Sequence, residues 1–315
     1  MLRSALAFSA LTGKAFRIRN IRGRRSRPGL RPQHLAAVKL TASLCSARVR
    51  GQEINSGNLE FIPDRVTPGF YRVDVGTAGS VTLLTQAVLV PALLCGEAME
   101  FELVGGTDVP KAPPVDYLQE VVFPYFRGFG QVELEVQRRG FHPKGQGCLL
   151  LRIQGRGIQD RIEAVQRPAW TQTRARIVAS AGLSGARVAE RIAEPLKSEI
   201  DQVEHSYVEA ACEGVAVTLW AQDEAGHRLG VSRLGRPRLP SEKLADQCLR
   251  AFQERLSSKF LVEEHLADQL IPLLAIAGGE MRCQKLTAHC HTNMQICSLF
   301  TGRIFSVKGD HLVSA

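Results

Sequence analysis

The sequence contains 315 residues and has a mass of 34.5 kDa, which is enough chain to bury a large hydrophobic core. Hydrophobic residues make up 44% and charged residues 23%, and no uninterrupted apolar run approaches the roughly 18 residues of a membrane span. This composition excludes a disordered chain and predicts a globular protein without a transmembrane helix.

The net charge of +9 is unevenly distributed, since residues 1–52 contain ten arginines and two lysines and the first acidic residue is Glu53. Such a basic start is typical of a nucleic-acid-binding surface, and also of an organellar transit peptide. The eight cysteines include no CxxC pair, which indicates reduced thiols in an intracellular protein. Zinc ligation by Cys283, His289, Cys290 and His291 is disfavoured, because their spacing fits no common ligand pattern.

Helix-like and strand-like patterns alternate along the chain and predict an α/β fold. In chain order, helices are predicted at residues 34–46, 80–94, 114–126, 186–203, 241–259 and 265–277. Strands are predicted at residues 16–21, 59–63, 71–75, 98–104, 131–138, 149–154, 175–181, 214–220 and 305–308. The segments 155–167 and 233–240 are polar or rich in Arg, Gly and Pro, so we expect a small inserted α/β domain at residues 161–254. The main domain then comprises residues 1–160 and 255–315.

Three glycine-rich segments and one polar helix start lie between these elements. Gly76-Thr-Ala-Gly-Ser80 follows a strand, and Ser80 is a good N-cap for the next helix, so the turn is either an anion cradle or a plain connection. Residues 105–117 form a proline-stiffened loop suited to the wall of a base pocket, or a rigid connector. Residues 138–147 predict a basic turn near a phosphate or a simple hairpin. His265-Leu-Ala-Asp-Gln269 begins a helix with two polar residues, which are either buried with a partner or exposed.

The segment at residues 285–300 places His289 near the start of a further helix. Thr292 is the predicted N-cap, with Met294, Ile296 and Leu299 as inward positions. The positive end of a helix dipole favours a neutral imidazole and attracts phosphate, as a histidine nucleophile acting on a nucleotide requires. A purely structural histidine is the alternative reading of this position.

Taken together and in this order, the segments resemble the RNA 3′-terminal phosphate cyclase family over nearly the whole chain. The resemblance runs through Arg25-Ser-Arg-Pro-Gly-Leu-Arg-Pro-Gln-His-Leu35, Gly76-Thr-Ala-Gly-Ser80, Gly105-Gly-Thr-Asp108, Gly140-Phe-His-Pro-Lys-Gly145, His265-Leu-Ala-Asp-Gln269 and His289-Cys-His-Thr-Asn293. It implies a large domain of repeated strand–helix units, with sheets on one side and helices on the other, and a small inserted α/β domain. It also implies that residues 1–13 are the first helix, so that the basic start belongs to the fold.

The resemblance implies an ATP-dependent ligase that converts an RNA 3′-phosphate into a 2′,3′-cyclic phosphodiester through a histidine–AMP intermediate. By resemblance His289 is the nucleophile, in preference to His291. The residues implied for the ATP site are Gln86, Pro113, His265, Leu266, Ala267, Asp268 and Gln269. Arg22, Arg25 and Arg31 are implied contacts to phosphate or RNA, a role that suits the guanidinium group. The implied cofactors are ATP and a divalent metal, Mg²⁺ or Mn²⁺.

The sequence departs from the family at its start. The family has a strand and a glycine-rich Glu-Gly-Gly-Gly-Gln segment immediately before the position of Leu2 and Arg3, and we expect this chain to lack it. That segment supplies an acidic residue near the metal. The alternative function is therefore a catalytically inactive cyclase-like RNA-binding protein in RNA processing or ribosome assembly. The expected compartment is the cytoplasm, with the nucleus or, if the basic start is a transit peptide, an organelle as alternatives.

Overall fold

The computed structural model describes residues 1–158, 161–166 and 169–314. Its longer helices are α1 (Leu2–Thr12), α2 (Pro32–Leu44), α3 (Val81–Cys95), α5 (Val188–Ala193), α6 (Ser241–Ser257), α7 (Glu264–Ala277) and α8 (Ala288–Thr301). Helix α4 (Val115–Tyr117) continues as a π-helical stretch, Leu118–Val122, and a 3-10 helix, Phe123–Phe129, and we call the whole the 115–129 segment. The described residues include no helix of the length and apolarity that a membrane crossing demands.

The strands form four sheets, as expected for an α/β protein. The strands are β1 (Phe16–Ile18), β2 (Arg48–Arg50), β3 (Leu59–Ile62), β4 (Gly69–Asp74), β5 (Ala98–Gly105), β6 (Gly130–Arg138), β7 (Gly147–Gly155), β8 (Ile162–Ala164), β9 (Gln172–Ser180), β10 (Gln202–Val208), β11 (Val215–Gln222), β12 (Arg228–Leu234), β13 (Gly279–Arg282), β14 (Phe305–Lys308) and β15 (His311–Ser314). The sheet orders are β1-β3-β2, β4-β5-β7-β6, β14-β15-β13-β8 and β10-β9-β11-β12.

Two hydrophobic clusters hold these layers together. The first contains the buried faces of α1, α2, α3, α7 and α8, together with the inner faces of β5 and β7. The second lies between β9 and β11 on one side and α5 and α6 on the other, and we call β9 to α6 the second unit. Trp220 lies on β11 of the second unit, but its side chain packs in the first cluster. The two units are therefore in direct hydrophobic contact.

The predicted helix at residues 186–203 is wrong in its extent. Helix α5 ends at Ala193, a single 3-10 turn follows over Glu194–Leu196, and β10 begins at Gln202. Pro195 cannot donate to a helical hydrogen bond, and β10 gains a full parallel ladder with β9. Strands β2, β8, β10, β12, β13 and β15 were not predicted, because most are short or lie at an edge with mixed polarity.

The glycine-rich segments pack against one another. A Cβ on Gly79 would lie 2.7 Å from Val75 Cγ1, and one on Gly145 would lie 2.7 Å from the Cα of Ala78. Ser80 does cap α3, as predicted, since its Oγ accepts from the amide of Leu83. The amide of Ser80 itself donates to Gln33 Oε1 at 3.0 Å. The turn at residues 76–80 therefore has the contacts of a tightly packed connection.

A buried ion network joins the main core to the second unit. Arg139 donates to both oxygens of Asp116 at 2.8 and 2.7 Å and lies 3.1 Å from Asp108, with all three side chains almost fully buried. Arg176, on β9, adds bonds to Asp116 and to Glu120 at 3.5 and 2.9 Å. Burial acts to lower the pKa of Arg139, but Asp108 and Asp116 outweigh it and raise that pKa.

Candidate active site

A polar cavity lies where α1, α3, α7 and α8 meet. Apolar side chains of α1, α3 and the 115–129 segment form one wall, among them Phe8, Leu89, Leu118, Val122 and Phe126. The polar lining is contributed by one or two residues from each of the four helices: Arg3, Ser4, Gln86, Asp268, Gln269, His289 and Asn293. The combination of an apolar wall with a few convergent polar groups is typical of small-molecule sites.

One chain of hydrogen bonds crosses the cavity from α1 to α7. Arg3 Nε donates to Gln86 Oε1 at 2.9 Å, and Gln86 Nε2 donates to Gln269 Oε1 at 2.6 Å. The side-chain amide of Gln86 therefore accepts one hydrogen bond through its oxygen and donates another through its nitrogen, which fixes its orientation. Burial lowers the pKa of Arg3, and the nearby carboxylate of Asp268 opposes that shift.

A second set of bonds centres on Asn293 of α8. Its Nδ2 donates to Asp268 Oδ1 at 2.8 Å and to the Asp268 carbonyl oxygen at 3.3 Å, while its Oδ1 accepts from the hydroxyl of Ser4. Asn293 is buried, so these bonds also satisfy a side chain that would otherwise be costly. They fix the start of α8 against α1 and α7.

His289 lies in the first turn of α8, but the predicted cap is wrong. The helix begins at Ala288, and Thr287 caps it by accepting from the amide of Cys290 at 3.2 Å. Thr292 lies inside the helix, where its hydroxyl donates to the carbonyl of Ala288. Both threonines are good N-caps by residue type, and the observed cap lies five residues before the predicted one.

The inward face of α8 also differs from the prediction. Cys290, Asn293, Met294, Cys297 and Phe300 are buried, and Ile296 is partly buried. Leu299 was predicted to point inward and is 75% exposed, because the true helical stripe is offset by one residue at this end.

The imidazole of His289 is exposed at the edge of the cavity. Across residues 1–158, 161–166 and 169–314 no side chain or backbone group forms a hydrogen bond or ion pair with it. The first turn of a helix offers unpaired N–H groups and a partial positive charge. A ring nitrogen here is therefore available to a ligand whose phosphate is held by the same helix end.

The basic loop before α2 lies near the same region. Arg31 donates from its backbone to His34 Nδ1 at 3.1 Å and from its guanidinium to Asn55 at 2.8 Å. Arg22 donates to the carbonyls of Arg27 and Gly29, and the Arg25 side chain is exposed. Burial, followed by the charges of Arg22, Arg3 and Arg31, lowers the pKa of His34 to about 4. Several guanidiniums therefore converge near one neutral imidazole.

The structure brings together four of the predicted site residues, namely Gln86, Asp268, Gln269 and His289, around one cavity. The other four residues predicted for the ATP site do not line the cavity. Leu266 and Ala267 are fully buried in the core, and His265 is exposed. The carbonyl oxygen of Pro113 accepts from the hydroxyl of Thr82 at 2.8 Å. Arg3, Ser4 and Asn293 were given no role from the sequence. Asn293 could have been found as the polar residue within the buried stripe of α8.

Two donor sets can be compared for a divalent metal. Glu263, Glu264 and His265 lie close together, but Glu263 caps α7 and accepts from Tyr117, and Arg255 pairs with Glu264 at 2.8 Å. Asp268 provides the carboxylate of the cavity lining, and its Oδ2 forms no hydrogen bond within the described residues. One carboxylate plus substrate phosphates is an arrangement that suits Mg²⁺ or Mn²⁺, so the cavity fits such an ion better than the acidic cluster does.

Known proteins share extensive sequence similarity with this chain. A sequence profile described as RNA 3′-terminal phosphate cyclase matches residues 1–307. The chain belongs to the RNA 3′-terminal phosphate cyclase family. A protein of that name from Thermococcus kodakarensis is 38% identical in an alignment that covers 98% of this chain and 91% of the relative. Relatives of the same name from Pyrococcus furiosus and Methanopyrus kandleri are 35% and 37% identical, each over 98% of this chain and 92% of the relative. The cyclase family assignment therefore covers both the helices around the cavity and the second unit.

Proposed function

We propose that this chain converts an RNA 3′-terminal phosphate into a 2′,3′-cyclic phosphodiester at the expense of ATP. The observation that carries the proposal is the exposed imidazole of His289 in the first turn of α8, which has no hydrogen-bond partner among the described residues and lies beside Gln86 and Asp268. Family membership supports the overall reaction, and the geometry supports the assignment of His289 as the nucleophile.

The proposed reaction has three displacements at phosphorus. A ring nitrogen of His289 attacks the α-phosphorus of ATP, a P–N bond forms, and the bond to pyrophosphate breaks. An oxygen of the RNA 3′-phosphate then attacks the same phosphorus, so that AMP moves from His289 to the RNA end. Finally the 2′-oxygen attacks the 3′-phosphorus, AMP leaves, and the hydroxyl proton passes to solvent. Adenylylation is needed because a phosphate monoester is a poor electrophile until one oxygen carries a good leaving group.

The surrounding groups have defined tasks in this proposal. Arg3, held by Gln86, and the first-turn amides of α8 stabilise negative charge on the phosphates. Asn293 fixes the first turns of α8, and therefore the position of His289, relative to Asp268. A divalent metal, bound through Asp268 and the phosphates, would neutralise charge on the nucleotide.

The test is the formation of a protein–AMP adduct from ATP labelled at the α-phosphate. The His289→Ala variant should form no acid-labile adduct and no cyclic product, whereas His291→Ala is the matched control two residues along the same helix and should form both. Persistence of the adduct in His289→Ala would refute the nucleophile. Tight RNA binding by the unmodified chain with neither adduct nor cyclic product would instead identify the non-catalytic RNA-binding relative.

A further inference from the structure

The sheet of the second unit has two faces of different character. One face packs on α5 and α6 through residues such as Ala175, Ile177, Val217 and Leu219. The ladder places every second residue on the other face, which carries Gln172, Arg174, Arg176, Thr218, Trp220, Gln222, Arg228 and Gly230. This polar face lies towards the 115–129 segment, since a Cβ on Gly230 would lie 2.4 Å from Val121 Cγ2.

Arg228 is fixed at this junction through its backbone. The hydroxyl of Tyr125 donates to the Arg228 carbonyl at 2.7 Å and accepts from its amide at 3.3 Å. The Nε and Nη1 atoms of Arg228 are buried and have no hydrogen-bond partner among the described residues. A buried charged donor without an acceptor is costly, and its charge attracts an anion to the surface beside it.

Two further guanidiniums lie near Arg228 without a carboxylate partner in the described ranges. The hydrogen bond of Arg174 goes to Gln172 Oε1 at 3.2 Å, and Arg127 is exposed, with its Nη1 only 3.5 Å from the site of a Cβ on Gly226. Burial lowers the pKa of Arg228, Glu120 opposes that shift, and the charges of Arg127 and Arg174 add to it. No carboxylate of the described residues forms an ion pair with any of these three guanidiniums.

The nearest carboxylates are already bound to other groups. Glu120 accepts from Arg176 at 2.9 Å. Asp223 accepts from the backbone and the ring of His227, each at 2.7 Å. Neither carboxylate forms an ion pair with Arg228 within the described residues, although both lie near enough to offset part of its charge.

The 115–129 segment separates this cluster from the cavity at His289. Leu118, Val122 and Phe126 line the cavity, whereas Val121 and Tyr125 contact the second unit. The two sites thus contact neighbouring faces of one helical segment. A polyanionic strand that ends in the cavity is long enough to reach both.

We propose that Arg127 and Arg174, with the buried charge of Arg228 behind them, form a subsite for a backbone phosphate of the RNA strand, upstream of the 3′ end that is processed at His289. The inference rests on the proposed function. Guanidinium groups bind phosphate oxygens through several directed donors, and the subsite recognises the phosphodiester backbone and not the base sequence.

The experiment compares 3′-phosphorylated oligonucleotides of two and twelve nucleotides in binding and cyclisation assays over a range of salt. Each lost phosphate contact should weaken binding of the twelve-mer by about fivefold at 0.1 M salt and reduce the slope of log affinity against log salt by about 0.7. We therefore expect these losses for Arg127→Gln and Arg174→Gln singly, and about 20-fold for both together, with little change for the two-mer. Arg233→Gln, an exposed arginine on the other face of β12, is the matched control and should bind both lengths like the unmodified chain.

The outcomes separate this inference from the proposed function. Equal loss of affinity for both lengths, or no loss in the double variant with an unchanged melting temperature, would overturn the subsite. Inorganic phosphate is titrated in parallel: weaker phosphate binding in the double variant, with unchanged twelve-mer binding, would show a free-ion site and also overturn it. Failure of the unmodified chain to cyclise either oligonucleotide would contradict the proposed function, while the length-dependent binding would still decide the subsite.

Discussion

The cavity at His289 and the ion network at Arg139 contain similar side chains in opposite states. Around Arg139, the guanidinium and the carboxylates of Asp108 and Asp116 are almost fully buried and satisfy one another. Around His289, Arg3 and Asp268 are only partly buried and the imidazole has no partner in the part of the chain that the structure describes. Both sites contain charged side chains, so charge alone does not distinguish them. In the structural cluster every charged group has a partner, whereas in the candidate ligand site some polar groups have none among the described residues.

The largest effect on stability is expected at Arg139. Replacing it with Met leaves Asp108 buried without an ion-pair partner and Asp116 with only the longer bond from Arg176, so Arg139→Met should lower the free energy of unfolding by about 3–5 kcal/mol. Urea denaturation would measure this. Arg152→Gln removes exposed pairs with Glu100 and Glu135 and should cost less than about 1 kcal/mol. Similar losses for the two variants would contradict the contrast drawn above.

A smaller loss, with a larger functional effect, is expected at Asn293. Asn293→Ala removes the bonds that join α8 to Asp268 and Ser4, and should lower the free energy of unfolding by about 1–3 kcal/mol. Because the start of α8 then shifts, the rate of adduct formation should fall about 10- to 100-fold even where the protein is fully folded. Single-turnover labelling with ATP would measure that rate. An unchanged rate would show that α8 is positioned by other contacts.

The pH dependence of stability should contain a component from His34. Its pKa in the folded state is about 4, below the ordinary value of 6.5, so the unfolded chain binds the proton more readily. Stability from this group is complete above pH 6.5 and is lost as pH falls towards 4, by about 1–2 kcal/mol after allowance for partial exposure. Denaturation midpoints at several pH values should show a flatter dependence in His34→Gln, and an identical dependence would contradict the burial of the neutral ring.

The smallest effect tests the corrected start of α8. Thr287→Ala removes the N-cap and should cost about 1 kcal/mol, whereas Thr292→Ala, inside the helix, should change stability by less than half as much. Thermal melting of the two variants would provide the comparison. A larger loss in Thr292→Ala would restore the cap that the sequence alone predicted.

The parts of the site predicted from sequence lie on strongly patterned helices. Gln86 and the pair Asp268 and Gln269 occur in α3 and α7, whose long apolar stretches predict both helices, and their grouping with His289 follows from family resemblance. Asn293 was contained in the quoted pattern, but its role depends on Ser4 and Asp268, which are 289 and 25 residues away in sequence. Local pattern contains no information on such partners.

The second unit shows a different limit of sequence reasoning. The apolar spacing after residue 186 fits a helix, yet parallel pairing of β10 with β9 decides the structure beyond Gln202. The ion network of Arg139, Asp116 and Arg176 was likewise invisible, because its members come from three separate elements. In both places the structure depends on contacts between residues that are far apart in sequence, and local propensity does not reveal such contacts.

The 115–129 segment touches the His289 cavity with one set of side chains and the second unit with the next. A substitution at Leu118 or Val122 would alter the cavity wall directly and, through the neighbouring Val121 and Tyr125, the packing of the second unit. The arginines of the proposed RNA subsite can vary without any change in the residues that line the cavity.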